Sequence, residues 1–167
     1  GVEDEPRIRR AGYDLVATER GGLATCHEPG QLVGYLIADV SKLGVRRAVM
    51  VIEVGIIAWL RAQGLDATVR PGLPGVWVGR DKVCALGLHV KRGVTMHGFA
   101  LNLVNELRGF ELIVPCGIVD GSVTSVLRLA GHSPTPEVAA PTVGAALTDA
   151  MAASRRAIAL DTALVRE

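Results

Sequence analysis

Leu112-Ile113-Val114-Pro115-Cys116-Gly117-Ile118 ends an apolar run in a cysteine held between proline and glycine. Proline fixes one backbone angle and glycine permits a sharp turn, so the Cys116 thiol can stand clear of the chain as a nucleophile. A free cysteine is more often a small buried hydrophobe, and from this stretch alone both readings stay open. Two other segments bear on the choice: Arg20-Gly21-Gly22-Leu23-Ala24-Thr25-Cys26-His27-Glu28-Pro29-Gly30-Gln31 and Gly79-Arg80-Asp81-Lys82-Val83-Cys84-Ala85-Leu86-Gly87. A thiol of pKa about 8.5 is only about 3% thiolate at pH 7, and lowering it by about two units raises that to about three-quarters. Something cationic must do the lowering. Lys82, opening an otherwise apolar strand, is the candidate; the alternative is an ordinary solvated lysine at a strand end. Burial would lower its own pKa, so it could also take a proton from an attacking amine.

The elements that must position these residues follow from periodicity. Tyr13 to Glu19 alternates loosely and reads as a strand, and Gln31 to Val40 is again strand-like. From Ser41 the period changes: Val45, Ala48, Val49, Ile52, Ile56, Trp59 and Leu60 recur at three- and four-residue steps, a core-facing helix with Ser41 as its cap and Gly64 as its stop. Val69 to Val78 reads as a loop, rich in Pro and Gly, feeding a short strand Val76-Trp77-Val78. Lys82 to Val90 and Thr95 to Leu103 form an antiparallel pair around Lys91-Arg92-Gly93, and Leu112 to Pro115 follows a polar linker. Thr135-Pro136-Glu137 caps a short helical turn, and Thr142, after Pro141, opens a second, alanine-rich segment. The chain is expected to be α+β, a mixed sheet packed by helices.

At 167 residues the chain is one domain on length, able to bury about 70% of its unfolded surface. A net charge of +1 from 18 basic and 17 acidic side chains gives no electrostatic reason to expect nucleic acid or an anionic membrane, and 4% aromatics argue against base-stacking platforms. Three cysteines (Cys26, Cys84 and Cys116) cannot all pair within the chain and show no zinc-type spacing, which suits a reducing compartment. The start is charged rather than apolar, and the apolar run from Ala48 to Leu60 is interrupted by Glu53. A soluble, cytoplasmic protein is expected, without metal or cofactor.

In order and spacing, the Arg20, Lys82 and Cys116 segments, with Met96-His97-Gly98-Phe99-Ala100-Leu101-Asn102 among them, resemble the lipoyl(octanoyl) transferases of lipoate biosynthesis from about Gly12 to about Leu129. The resemblance implies a single catalytic domain over residues 1–167, folded like the biotin and lipoate ligases. In that family a stretch of roughly sixty residues precedes the RGG block, so the likeness implies a chain truncated at its N-terminus.

The implied reaction moves an octanoyl group from octanoyl-acyl carrier protein to the lysine of lipoyl domains, those of 2-oxoacid dehydrogenase E2 subunits and the glycine cleavage H protein. Cys116 and Lys82 would be the catalytic dyad. A covalent thioester lets one protein partner leave before the other arrives. No ATP is required, and no G-x-x-x-x-G-K-[ST] loop is present. Arg20, Gly21, Gly22, Leu23, Ala24, Thr25, Cys26 and His27 would lie beside the acyl carbonyl. Ala85-Leu86-Gly87 and Gly98-Phe99-Ala100 would line an alkyl slot, or else be plain core strands. His97 reads as structural, and His27 as either an orienting or a structural residue.

The chain departs from the family pattern at Cys26 and Glu28, and again after Asn102, where Leu103 and Asn105-Glu106 stand in place of small polar residues and Thr-Asp. Cys26 replaces an aromatic ring that would help close the pocket. Glu28 replaces a glycine, and at positive φ it would strain the turn by about 1–2 kcal/mol and set a carboxylate near His27. Cys26, Glu28 and the short N-terminus support an alternative, an impaired relative that binds acyl or lipoyl domains without turnover; a ligase of the same fold is a further reading.

Overall fold

Period-two and period-3.6 segments alternate unevenly along this chain, and the folded order follows them. The computed structural model describes residues 2, 4–22, 24–41, 44–113 and 121–164, with side chains through residue 157. In chain order the elements are α1 (Glu5–Arg10), β1 (Gln31–Tyr35), α2 (Val45–Ala62), β2 (Ala67–Arg70), β3 (Leu73–Val78), β4 (Asp81–Lys91), β5 (Val94–Asn102), a 3-10 turn (Arg108–Leu112), α3 (Val126–Ala130) and α4 (Pro136–Leu164). The strands form one sheet in the order β1-β5-β4-β3-β2, each named pair antiparallel. A parallel bridge from Lys82 to Val123 gives the sheet its mixed character. The expected α+β architecture is the one found.

Two tight turns set the register. Lys91 pairs with Val94, and between them Arg92 and Gly93 have φ of 52° and 80°, the left-handed pair that matches the twist of a hairpin. Arg70 pairs with Leu73 across Pro71-Gly72. The expected loop over Val69 to Val78 is therefore a second hairpin, β2–β3. Its Pro and Gly mark a two-residue turn rather than an irregular stretch.

One sheet face is covered by helices. Helix α2 buries Ala48, Val51, Ile52, Gly55, Ile56, Trp59 and Leu60, and the core continues through Val76, Val83, Cys84 and Leu101 of the strands to Val143 of α4. Gly55 brings α4 close, since a Cβ there would meet Leu147 Cδ2 at 2.8 Å. The Trp59 indole N–H donates to Thr142 Oγ1 at 2.9 Å. The opposite face is left for a site.

Several expectations are corrected. Tyr13 to Glu19 is no strand: it joins no sheet ladder among the described residues, and alternation alone does not supply one. Regular strand β1 stops at Tyr35, but the chain stays beside β5 as far as Val40, through a bridge from Asp39 to Val94 and backbone bonds from Leu36 N–H to His97 O at 2.9 Å, Thr95 N–H to Ala38 O at 2.9 Å and Val40 N–H to Gly93 O at 2.8 Å. Ser41 does not cap α2, because its hydroxyl is held by Asp39 and the helix starts after Gly44. Gly64 does end it, at φ 79°. Helix α4 is one helix running through Pro141. The proline removes a single backbone bond near the N-terminal end, where packing on α2 holds the helix together. Leu112 closes the 3-10 turn and Ile113 follows it in extended conformation, while Val114 and Pro115 of the expected strand lie outside the described residues.

Candidate active site

Val76 pairs with Cys84 and Trp77 with Lys82. Two steps along β4 thus match one along β3, and Val83 is the extra residue of a β-bulge. A bulge shifts the alternation of side chains by one. Val83 and Cys84 both enter the helix-covered core, while Lys82 and Ala85 line a cavity on the other face. Lys82 and Cys84, two residues apart, would share a face on a regular strand, and the bulge puts them on opposite faces. The Lys82 side chain is only 8% exposed, and its Nζ lies 4.7 Å from the centre of the Trp77 ring, where the π-face attracts a cation.

The chain segment that begins at Gly121 is stitched to this lysine. Lys82 N–H donates to Ser122 O at 2.8 Å, and Thr124 N–H donates to Lys82 O at 2.9 Å. Asp81 Oδ1 accepts from both the N–H and the hydroxyl of Ser122, at 2.8 and 2.9 Å. Gly121 permits this approach, because a Cβ there would collide with Arg80 O. Cys116 lies outside the described residues, as does Leu23.

The cavity beside Lys82 has a volume of about 250 Å³, close to the lower end of the ~300–1,000 Å³ range of small-ligand clefts. Besides Lys82, Arg20, Gly22, Ala24 and Thr25 line it, together with Gly72, Leu73, Pro74, Ala85, Leu86, Asn102, Phe110 and Val123. A hollow of about 50 Å³ continues over Gly87, Gly98, Phe99 and Ala100, and shares Arg20, Thr25, Ala85 and Leu86 with the first. His27 and His97 both border this hollow. His97, at φ 63°, sets its ring edge-on to Tyr35, with centroids 5.8 Å apart. The expected slot residues are thus brought together at paired positions of β4 and β5, Ala85, Gly87, Gly98 and Ala100 toward the open face and Leu86 and Phe99 packed with the helix-covered core. A larger cleft of about 1310 Å³ lies between the N-terminal segment and residues 109–113 and does not include Lys82.

Close backbone approach explains the glycines. Gly21 N–H donates to Leu88 O at 3.1 Å, and a Cβ on Gly87 would meet Gly21 O at 2.9 Å and Arg20 Cδ at 3.2 Å. The Arg20-Gly21-Gly22 turn therefore lies directly against β4.

Glu28 is not at positive φ among the described residues, so the expected backbone strain is absent. Its carboxylate accepts from Gly109 N–H at 2.6 Å, Leu107 N–H at 2.9 Å, Tyr13 O–H at 2.7 Å and Asn105 Nδ2 at 3.3 Å. Burial pushes its pKa up, but the donors, Gly109 first, outweigh that and hold it below the usual carboxylate value. Cys26 packs with Leu107 and Phe110 and borders the large cleft rather than the Lys82 cavity. Burial, with Glu28 adding to it, raises its thiol pKa to about 12. Burial raises the Cys84 thiol too, against the opposing effects of the Ala100 backbone and Lys82.

Sequence reasoning passed over a buried amide relay. Asn102 Nδ2 donates to Thr124 O at 3.0 Å, Gln31 Nε2 donates to Asn102 Oδ1 at 2.7 Å and to Cys26 O at 3.2 Å, and Gln31 Oε1 lies 2.7 Å from His27 Nδ1. The available signal was a polar residue at the end of each of two paired apolar strands, for Gln31 sits opposite Asn102 in the β1–β5 register. Among the described residues no His, Cys, Asp and Glu cluster could hold a metal ion, and no helix is long and apolar enough to cross a membrane.

Comparison with known proteins places this arrangement. The chain is 45% identical over 134 residues to an octanoyltransferase of Alkaliphilus metalliredigens, an alignment covering 78% of this chain and 62% of that protein. The chain thus spans about 60% of the length of curated relatives such as this one. In fold it is similar to a bipartite lipoate protein ligase from Thermoplasma acidophilum, with TM-score 0.66 and 18% identity over 92% of this chain and 62% of that one. A biotin protein ligase from Aquifex aeolicus in complex with biotin and ATP also shares the fold, with TM-score 0.58 and 12% identity over 72% of this chain and 50% of that one. A family model of the lipoyl protein ligase A/B catalytic domain matches residues 2–150, and the chain belongs to that family.

Proposed function

We propose that this chain moves an octanoyl group from octanoyl-acyl carrier protein, through a thioester on Cys116, to the lysine of lipoyl domains. The observation that carries the reading is Lys82: a buried cation at the mouth of an apolar slot, bonded through its own backbone to the segment that follows Cys116 in the chain. A cation at that place favours thiolate over thiol. The acyl chain would lie over Ala85, Leu86 and the Gly87–Gly98 pair, and at about 0.8 kcal/mol per methylene its burial contributes about 5 kcal/mol of binding. The backbone of the Arg20-Gly21-Gly22 turn, on the cavity wall, would face the developing oxyanion.

Acyl carrier protein as donor and the lipoyl domains of 2-oxoacid dehydrogenase E2 subunits and glycine cleavage H protein as acceptors belong to this proposal, as does a cytoplasmic site of action. The bond account is simple: exchange of one thioester for another, then attack by an amine to give an amide. Neither step needs ATP. The rival reading, a binder without turnover, loses one of its supports with the absence of strain at Glu28.

Intact mass after incubation with octanoyl-acyl carrier protein tests the reading. An octanoyl adduct that maps to Cys116, is lost in Cys116→Ser, and discharges to a lipoyl domain supports it. An ATP-dependent adenylate would make the chain a ligase. No adduct in either condition would leave a binder.

A further inference from the structure

The amide relay behind His27 is fully directed, and its direction has a chemical consequence. Thr124 O is a backbone carbonyl and can only accept, so the Asn102 side-chain atom beside it, at 3.0 Å, is Nδ2. That leaves Asn102 Oδ1 toward Gln31, where it accepts at 2.7 Å. Cys26 O, also a backbone carbonyl, accepts from the same Gln31 nitrogen at 3.2 Å. Two acceptors thus fix Gln31 Nε2, and Oε1 is the atom that meets His27 Nδ1 at 2.7 Å. An oxygen acceptor there demands a proton on Nδ1. The neutral ring then has one remaining lone pair, on Nε2.

We infer that Gln31 and Asn102 are positioning residues that lock His27 in its Nδ1–H form, making Nε2 the neutral proton acceptor for the incoming amine; this rests on the octanoyl-transfer reading. His27 borders the hollow over the Ala85–Ala100 pair, where the acyl chain is placed. Arg20 and His97 border the same hollow. The Glu28 carboxylate, next in sequence, is engaged by Gly109, Leu107 and Tyr13. In the amide-forming step the amine nitrogen bonds to the thioester carbonyl carbon, the C–S bond breaks, and its electron pair leaves on sulfur. The proton shed by the amine goes to His27 Nε2. The relay also ties the two chemistries together, because Thr124, whose carbonyl ends it, donates its N–H to Lys82 O. Lys82 can then remain a cation while a separate group takes the proton.

Imidazole ring-nitrogen spectra of the whole protein, with His27→Gln used for assignment, test the lock. The expected result is a protonated Nδ1 and a bare Nε2 in the parent, replaced by a tautomer mixture in Gln31→Met. A protonated Nε2 in the parent, or an unchanged ring in a folded Gln31→Met, would overturn it. The proton-acceptor role is read from the two half-reactions. His27→Gln should slow discharge of the octanoyl-enzyme to the amine by roughly 10²-fold, as for loss of a general base, while loading from the donor stays within about twofold. Equal slowing of both halves would overturn that role. If the parent accumulates no octanoyl-enzyme, the transfer reading fails, and the ring spectra alone still uphold or overturn the lock.

Discussion

The carboxylate of Glu28 accepts the backbone N–H of Gly109 at 2.6 Å, tying the histidine loop to the turn that leads toward Cys116. A glutamate at a usual glycine position is here a structural clamp, with Leu107, Tyr13 and Asn105 as its other donors. Glu28→Gly, which on the strain argument would have improved the protein, is expected instead to destabilise it by about 2–4 kcal/mol through the lost charge-assisted bonds. Glu28→Gln should lose about half of that. Urea unfolding checks the order.

The same clamp predicts a pH response. The folded-state pKa of Glu28 is lowered, burial raising it but the four donors together lowering it more. Its stabilisation is therefore complete above the unfolded carboxylate value of about 4.3 and is lost as pH falls through the folded value. The parent should lose stability below about pH 4 more steeply than Glu28→Gln does. At the alkaline end Tyr13, whose hydrogen bond to Glu28, with burial, raises its pKa to about 12, contributes stability that fades as pH rises through that value.

Alkylation separates the cysteines. Cys26 is 8% exposed with its pKa raised to about 12, and Cys84 is fully buried. Both should stay unmodified in the native protein at pH 7.5, leaving Cys116 as the site of labelling. Peptide mapping with and without denaturant decides it. Native labelling of Cys84 would remove the argument from the bulge at Val83.

On the proposed dyad, Lys82→Met should move the midpoint of Cys116 alkylation against pH upward, since a cation beside a thiol favours thiolate. Lys82→Arg keeps the charge and should recover part of the shift. An unchanged midpoint in Lys82→Met would mean that the lysine does not act on the thiol.

Gly121→Ala tests the stitching of the segment after Cys116. The added Cβ collides with Arg80 O, so the bonds between Ser122 and Asp81 must loosen. A stability loss of about 1–3 kcal/mol is expected from such overpacking, with a fall in acyl transfer larger than the stability loss explains. Thermal unfolding and single-turnover transfer, measured on the same sample, separate the two.

The β4–β5 hairpin and helix α2 were legible in the sequence because their signals are local: two periods, and a turn at Lys91-Arg92-Gly93 that needs no distant partner. The same holds for the grouping of Ala85, Leu86, Gly87, Gly98, Phe99 and Ala100, since an antiparallel register follows from the turn. Tyr13 to Glu19 shows the limit. A loose alternation is satisfied equally by a strand and by an unpaired crossing segment, and only the presence of a neighbouring edge separates them. Lys82 and Cys84 show it more sharply. Two residues apart on a regular strand they would share a face; one extra residue opposite Trp77, at Val83, sends one to the cavity and the other to the core. Bulges are set by pairing across strands and leave no periodic trace in a single one. Glu28 completes the contrast. Its type announced a departure, but its worth depends on Leu107 and Gly109, some eighty residues away in sequence, whose amides turn toward it only in the folded chain.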